Sequence, residues 1–242
     1  VPEPSSPVDA ARLAPGASLL AIARVADAVA NADLAIALPS EEAARIARHV
    51  KADDRAARTA AWSLARTLLG AALGLAPTAV PVVRGTNGRP GLDRAGLGVA
   101  SDLDFNLTHS GSWVAVGLAR GGTIGVDVEK ARGLDLWTRL APDFMHEDDR
   151  ARWSALPEPG RAASALRQWC GKEAVLKATG EGLAGDARGV RLPEGGGLVV
   201  RAGRAFLTGS GALPAAAYAF AVEVDAPTLF LSAGAGWERL AG

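Results

Sequence analysis

The chain has 242 residues, 49% of them hydrophobic and 21% charged, with 26 Lys+Arg against 26 Asp+Glu. That length suits one large domain or two small ones, and zero net charge removes the overall basicity of a dedicated nucleic-acid binder. The single cysteine, Cys170, excludes an internal disulfide and fits a reducing, cytoplasmic setting. No apolar run reaches the roughly 18 residues a membrane-spanning helix needs, and Val1–Pro7 has neither the charged nor the apolar region of a secretory leader.

Val1–Gly16 carries four prolines and reads as an extended arm, followed by a first strand over Ser18–Val25. Ser40, with Glu41 and Glu42 behind it, marks a helix start, since carboxylates favour the positive end of the helix dipole. From Asp53 to about Leu75, Trp62, Leu64, Leu68, Leu69 and Leu73 recur at near-helical spacing and predict a long helix. Short strands follow over Val80–Val83, Phe105–Thr108, Trp113–Ala119 and Thr123–Glu129, punctuated by Gly, Pro, Asn and Ser. Helices return over Leu134–Leu156 and Arg161–Thr179. The last third reads as strands at Gly189–Leu192, Leu198–Arg201, Ala205–Leu207, Tyr218–Val224 and Leu229–Leu231. Strands with a long helix in each half indicate an α+β fold.

Three stretches carry chemistry. In Thr123–Glu129, alternation puts Ile124, Val126 and Val128 on one face of a strand and Gly125, Asp127 and Glu129 on the other. Two carboxylates at i and i+2 stand roughly 7 Å apart at the backbone and can converge on one hard cation. A solvated acidic face is the plain alternative, although Asp is disfavoured inside strands. In Arg161–Thr179, at 100° per residue, Ala162, Leu166, Trp169, Cys170 and Leu176 form a stripe with Glu173 and Lys177 in its middle. Charges there need a partner or a bound ion. They make either an i,i+4 salt bridge or a third acidic ligand with a phosphate-contacting lysine. His109 ends a strand beside Thr108, Ser110 and Gly111, where a turn can present N–H, hydroxyl and imidazole groups to an anion or simply face solvent. Upstream, Asn87-Gly88-Arg89-Pro90 is a turn signal.

Taken together, Gly88–Pro90, Phe105–Ser110, Ile124–Glu129 and Trp169–Lys177 resemble, in order, the four motifs of the 4′-phosphopantetheinyl transferase superfamily, in particular its larger surfactin-type members. Gly180, Gly182 and Leu183 continue the familiar ending, and about 95 residues are covered directly. Arg89 stands where the family often has lysine and Thr108 where it often has serine; both keep the chemistry. The resemblance implies two similar pseudo-twofold lobes, each a small mixed or antiparallel sheet packed with a long helix. It divides the chain into an arm over 1–16, an N-terminal lobe over 17–121 and a C-terminal lobe over 122–242, with the active site between the lobes.

It further implies transfer of the 4′-phosphopantetheine of coenzyme A to a serine of an acyl, polyketide or peptidyl carrier protein, by a cytoplasmic monomer with no nucleic-acid or membrane partner. Asp127, Glu129 and Glu173 would hold Mg²⁺, with Mn²⁺ as the alternative ion. Arg89, Thr108, His109 and Lys172 would contact coenzyme A, and Glu173 and Lys177 would act on the reacting groups. Arg45, Arg48, Arg55 and Arg58 are candidates for the 3′-phosphate, with Arg45 and Arg58 preferred. The apolar set Leu134, Leu136, Trp137, Leu140, Phe144 and Met145 is either a carrier-docking surface or a core helix. The competing readings are another Mg²⁺-dependent phosphoryl-transfer enzyme and a carrier-binding module without catalysis.

Overall fold

The computed structural model describes residues 4–85, 87–97, 101–234 and 236–240. Along the chain run α1 (Pro7–Ala10), β1 (Ser18–Arg24), α2 (Val25–Ala30), α3 (Ser40–Ala47) and α4 (Ala52–Leu73). Next come β2 (Val82–Arg84), β3 (Pro90–Leu92), β4 (Leu103–Ser110), β5 (Trp113–Arg120) and β6 (Ile124–Lys130). Helices α5 (Leu134–Phe144), α6 (Glu147–Ala155) and α7 (Glu158–Thr179) are followed by β7 (Gly197–Arg201), β8 (Arg204–Leu213), β9 (Ala216–Val222), β10 (Thr228–Ala233) and β11 (Gly236–Leu240).

The strands form a five-stranded sheet ordered β11-β10-β1-β5-β4, a four-stranded sheet ordered β6-β9-β8-β7, and the small hairpin β2-β3. Each larger sheet is antiparallel except where β1 meets β10 in parallel. Apolar alternation along each strand then decides the layering. One face of the first sheet meets α4 through Leu64, Leu68, Phe105, Val114 and Val116. Leu20, Ile22, Trp113 and Ala115 on its other face meet Ile124, Val126, Val128 and Phe220 of the second sheet. The back of the second sheet, Ala217, Ala219 and Ala221, takes Cys170 and Ala174 of α7. Helix, sheet, sheet and helix are thus stacked in four layers, and the α+β expectation is met.

Several boundaries differ from the sequence reading. Residues 1–3 of the expected arm lie outside the described residues, whereas Pro7–Ala10 is a short helix capped by Ser6 with Pro7 buried. The strand expected over Gly189–Leu192 is instead a 3-10 turn at Ala187–Gly189 and an irregular segment, because the buried Lys172 ammonium takes the Ala187 and Val190 carbonyls that a strand partner would otherwise satisfy. The helical stretch Leu134–Leu156 is two helices, broken where the His146 side chain caps α6. The chain passes from the first sheet to the second between β5 and β6, and β10 and β11 return to the first sheet, so 228–240 pack with the N-terminal strands.

Candidate active site

β6 presents its two faces as alternation requires. Ile124, Val126 and Val128 are buried between the sheets, while Gly125, Asp127 and Glu129 turn toward α7. Gly125 is what allows the helix to come close: a Cβ there would lie 2.0 Å from the Ala174 carbonyl oxygen and 2.4 Å from the Ala178 nitrogen. Those two residues flank Glu173 and Lys177, so the glycine brings the charged pair of α7 down onto the carboxylates of β6.

Asp127 is buried and receives the Lys177 ammonium at 2.6 Å. Lys177 Nζ also donates to the Val126 carbonyl at 3.1 Å and to Thr108 Oγ1 at 3.4 Å, and Thr108 donates to Asp127 at 3.3 Å. Burial raises the Asp127 carboxyl above the usual carboxylate range, with the Lys177 charge opposing that rise. Glu173, also buried, is raised for the same reason and opposed by the same lysine. Glu129 is held by Ser110 Oγ at 2.7 Å and by Arg132 at 3.5 Å. Among the described residues no three His, Cys, Asp or Glu side chains are grouped as a ready metal cage. The donor chemistry nevertheless fits a hard divalent ion: the nearby groups are carboxylates, two of them buried where an adjacent cation relieves desolvation.

Above this floor opens a cavity of about 620 Å³ between the halves. Its walls include Arg58 and Trp62 of α4, Arg84 and Arg89 of the β2-β3 hairpin, His109 of β4, and Glu173 with Lys177. Arg58 Nε is buried without a hydrogen-bond partner. His109 is driven toward its neutral form by burial and then by the Arg58 charge. Arg84 lies over the Trp62 ring at 5.7 Å, and burial followed by the Arg45 charge lowers its pKa. Arg84, Trp62 and Asn87 were not among the sequence candidates; Arg84 lies in no motif, and only its place on the hairpin facing α4 puts it here.

The other candidates divide. Arg89 touches the cavity but spends its Nη2 on Asp104 at 2.8 Å and on the carbonyls of Ile124 and Phe105 at 3.0 and 3.4 Å. Arg45 pairs with Glu41 at 2.7 Å, and Arg55 closes the end of α3 through the His49 and Val50 carbonyls. Lys172 does not line this cavity. It is buried against Asp149 and the 187–190 turn, its pKa lowered to about 8 chiefly by burial. Its expected contact with coenzyme A is therefore replaced by a structural anchor. Of the apolar set after β6, Trp137, Phe144 and Met145 are core residues, while Leu134, Leu136 and Leu140 remain partly exposed.

A cleft lined by Glu173 and Lys177, with Asp127 bonded to that lysine and arginines on the walls, defines a protein suited to hold a phosphate-rich ligand between two sheet-bearing halves. Residues 123–210 match the 4′-phosphopantetheinyl transferase superfamily model, and residues 30–119 match that of the 4′-phosphopantetheinyl transferase N-terminal region. The chain belongs to the 4′-phosphopantetheinyl transferase superfamily. It is 35% identical over 153 residues to the 4′-phosphopantetheinyl transferase HetI of Nostoc sp. (strain PCC 7120), covering 63% of each chain. It is 33% identical over 123 residues to 4′-phosphopantetheinyl transferase AcpT of Salmonella typhi, covering 51% of this chain and 60% of that protein. Over 80 residues it is 35% identical to 4′-phosphopantetheinyl transferase psf-1 of Bacillus pumilus, one third of each chain. The chain thus spans about three fifths of the length of the first two relatives.

Proposed function

We propose that the protein transfers the 4′-phosphopantetheine group of coenzyme A to a serine of an acyl, polyketide or peptidyl carrier protein, releasing 3′,5′-ADP. The observation that carries this reading is the pairing of buried Asp127 with Lys177, the lysine and Glu173 both lining a cleft whose walls also hold Arg58, Arg84 and His109. A diphosphate in that cleft has cationic groups on both sides, and the adenosine end has the arginine-lined wall of α4 and the hairpin.

The serine oxygen attacks the β-phosphorus in line as the bond from that phosphorus to the bridging oxygen breaks, and the departing α-phosphate leaves as part of 3′,5′-ADP. Glu173 takes the serine proton; a carboxylate whose pKa is raised by burial is a better base near neutrality than an exposed one. Lys177 faces the charge that develops on the departing phosphate, and Thr108 keeps its ammonium oriented. Asp127, Glu129 and Glu173 would hold Mg²⁺, or Mn²⁺ in its place. When bound, such an ion offsets diphosphate charge. The remaining work is positioning of two reactants by one chain, which suits a cytoplasmic monomer. Among the described residues no helix is long and apolar enough to cross a membrane. Leu134, Leu136 and Leu140, left partly exposed beside the floor strand, are the part of α5 available to a docking carrier.

The test is incubation of the protein with pantetheine-labelled coenzyme A, Mg²⁺ and a panel of apo carrier proteins, read by intact mass. Label should appear on at least one carrier serine, and Asp127→Ala, Glu129→Ala and Glu173→Ala should each remove it. A folded parent that binds coenzyme A yet labels no carrier in the panel would sink the assignment.

A further inference from the structure

β4 and β6 are the bordering strands of two different sheets and share no backbone ladder. An edge strand buried in that way must satisfy its outward N–H and C=O groups by other means. On β6 side chains do this. The Ile124 N–H donates to Asp104 Oδ2 at 3.0 Å while its carbonyl accepts from Arg89 at 3.0 Å. The Val126 N–H donates to Asn106 Oδ1 at 3.0 Å while its carbonyl accepts from Lys177 at 3.1 Å. The Lys130 N–H donates to Ser110 Oγ at 3.2 Å. Asp104, Asn106 and Ser110 alternate on one face of β4, and each meets the residue 20 positions further along.

A shared ladder would draw the two strands to about 4.8 Å and close the gap between them. Side chains as spacers keep it wider, and the widened gap is where Lys177 reaches Val126, Asp127 and Thr108 together. We propose that Asp104 and Asn106 are positioning residues for the transfer: their side-chain oxygens replace a neighbouring strand, set β6 against β4, and hold open the slot in which Lys177 meets Asp127. The catalytic half of this inference rests on the function proposed above; the structural half does not.

The experiment combines amide hydrogen exchange with steady-state transfer kinetics on Asn106→Ala and Asn106→Asp, the second of which keeps an acceptor for the Val126 N–H. Asn106→Ala should speed exchange at Val126 about ten-fold relative to Ala219 and Ala221 on β9, the net worth of one hydrogen bond. Its kcat should fall at least about ten-fold while KM for the carrier stays within about two-fold, the split expected when only the reacting geometry is lost. Asn106→Asp should restore protection at Val126. Uniform acceleration over β6 and β9 would reduce Asn106 to ordinary stability and overturn the proposal, as would selective acceleration with kcat unchanged. Should Asn106→Ala fail to fold, Asp104→Ala against Asp104→Asn asks the same of Ile124: only the asparagine variant should keep that amide protected, and equal loss in both would overturn it. If the parent labels no carrier, the transfer reading fails by itself, and the exchange pattern alone decides whether the side-chain seam sets β6.

Discussion

Replacing Gly125 by alanine tests the contact on which the site is built. The new methyl carbon would sit 2.0 Å from the Ala174 oxygen and 2.4 Å from the Ala178 nitrogen, both backbone atoms of α7 that cannot rotate away. Reaching an ordinary contact of about 3.5 Å requires helix and strand to separate locally by about 1.5 Å. Overpacking of this kind costs about 1–3 kcal/mol, which for a chain of this size lowers Tm by roughly 3–10 °C. The separation also carries Glu173 and Lys177 away from Asp127, and a shift of about 1 Å between reacting groups can cost about a hundred-fold in rate. Transfer should be assayed well below the variant's Tm, so that its folded fraction is complete. Gly160→Ala on the same helix is the contrast: its Cβ meets open space and should raise stability by up to about 1 kcal/mol. A Gly125→Ala protein with parental Tm and parental transfer rate would refute the claim that close approach of α7 to β6 assembles the site.

Glu173→Gln should abolish transfer yet raise Tm at pH 8. The parent's carboxyl is raised on folding, so the parent loses stability as pH climbs from about 4.3 through the folded value. The glutamine variant does not titrate, and the Tm difference, followed by calorimetry, should shrink toward pH 4. Arg58→Ala should raise the coenzyme A dissociation constant about ten-fold, as loss of a charge-assisted contact predicts, and less so at high salt. Arg45→Ala, already committed to Glu41, should change it little; calorimetric titration separates the two. Lys172→Met should leave coenzyme A affinity intact while destabilising the fold by about 1–3 kcal/mol, because the Ala187 and Val190 carbonyls lose their buried donor while Asp149 keeps Arg152 and Arg191. In the parent, the lowered lysine pKa makes folding more favourable as pH rises from about 8, toward about 10.4. Denaturant titrations at pH 8 and 10 should show that gain only in the parent.

The long helices and the central strands were legible because each has a strong period and clear stops: α4 ends at a left-handed Gly74, α7 at a left-handed Gly180. Alternation alone separated the carboxylate face of β6 from its apolar face. Harder to read were features set by distant partners. β11 and the return of β10 to β1 depend on pairing across the whole chain, which no local window contains. Lys172 and Glu173 are adjacent in one motif, yet one helical step sends them to opposite environments, one to Asp149 and the other to the cleft. Arg89 looks like a phosphate ligand in its turn motif; only the fold reveals Asp104 and the edge of β6 waiting for it. Nor does spacing reveal that Glu129 is engaged by Ser110 and Arg132.

The parallel pairing of β1 with β10 has a consequence for biosynthesis. Leu19 lies against Thr228 and Leu20 against Leu229, so the centre of the first sheet stays unfinished until β10 has left the ribosome. At about 5–20 residues per second, some ten to forty seconds separate the emergence of these two strands. During that interval β1 has an open flank. The second sheet, complete by Val222, is able to settle before β10 arrives to cover that flank.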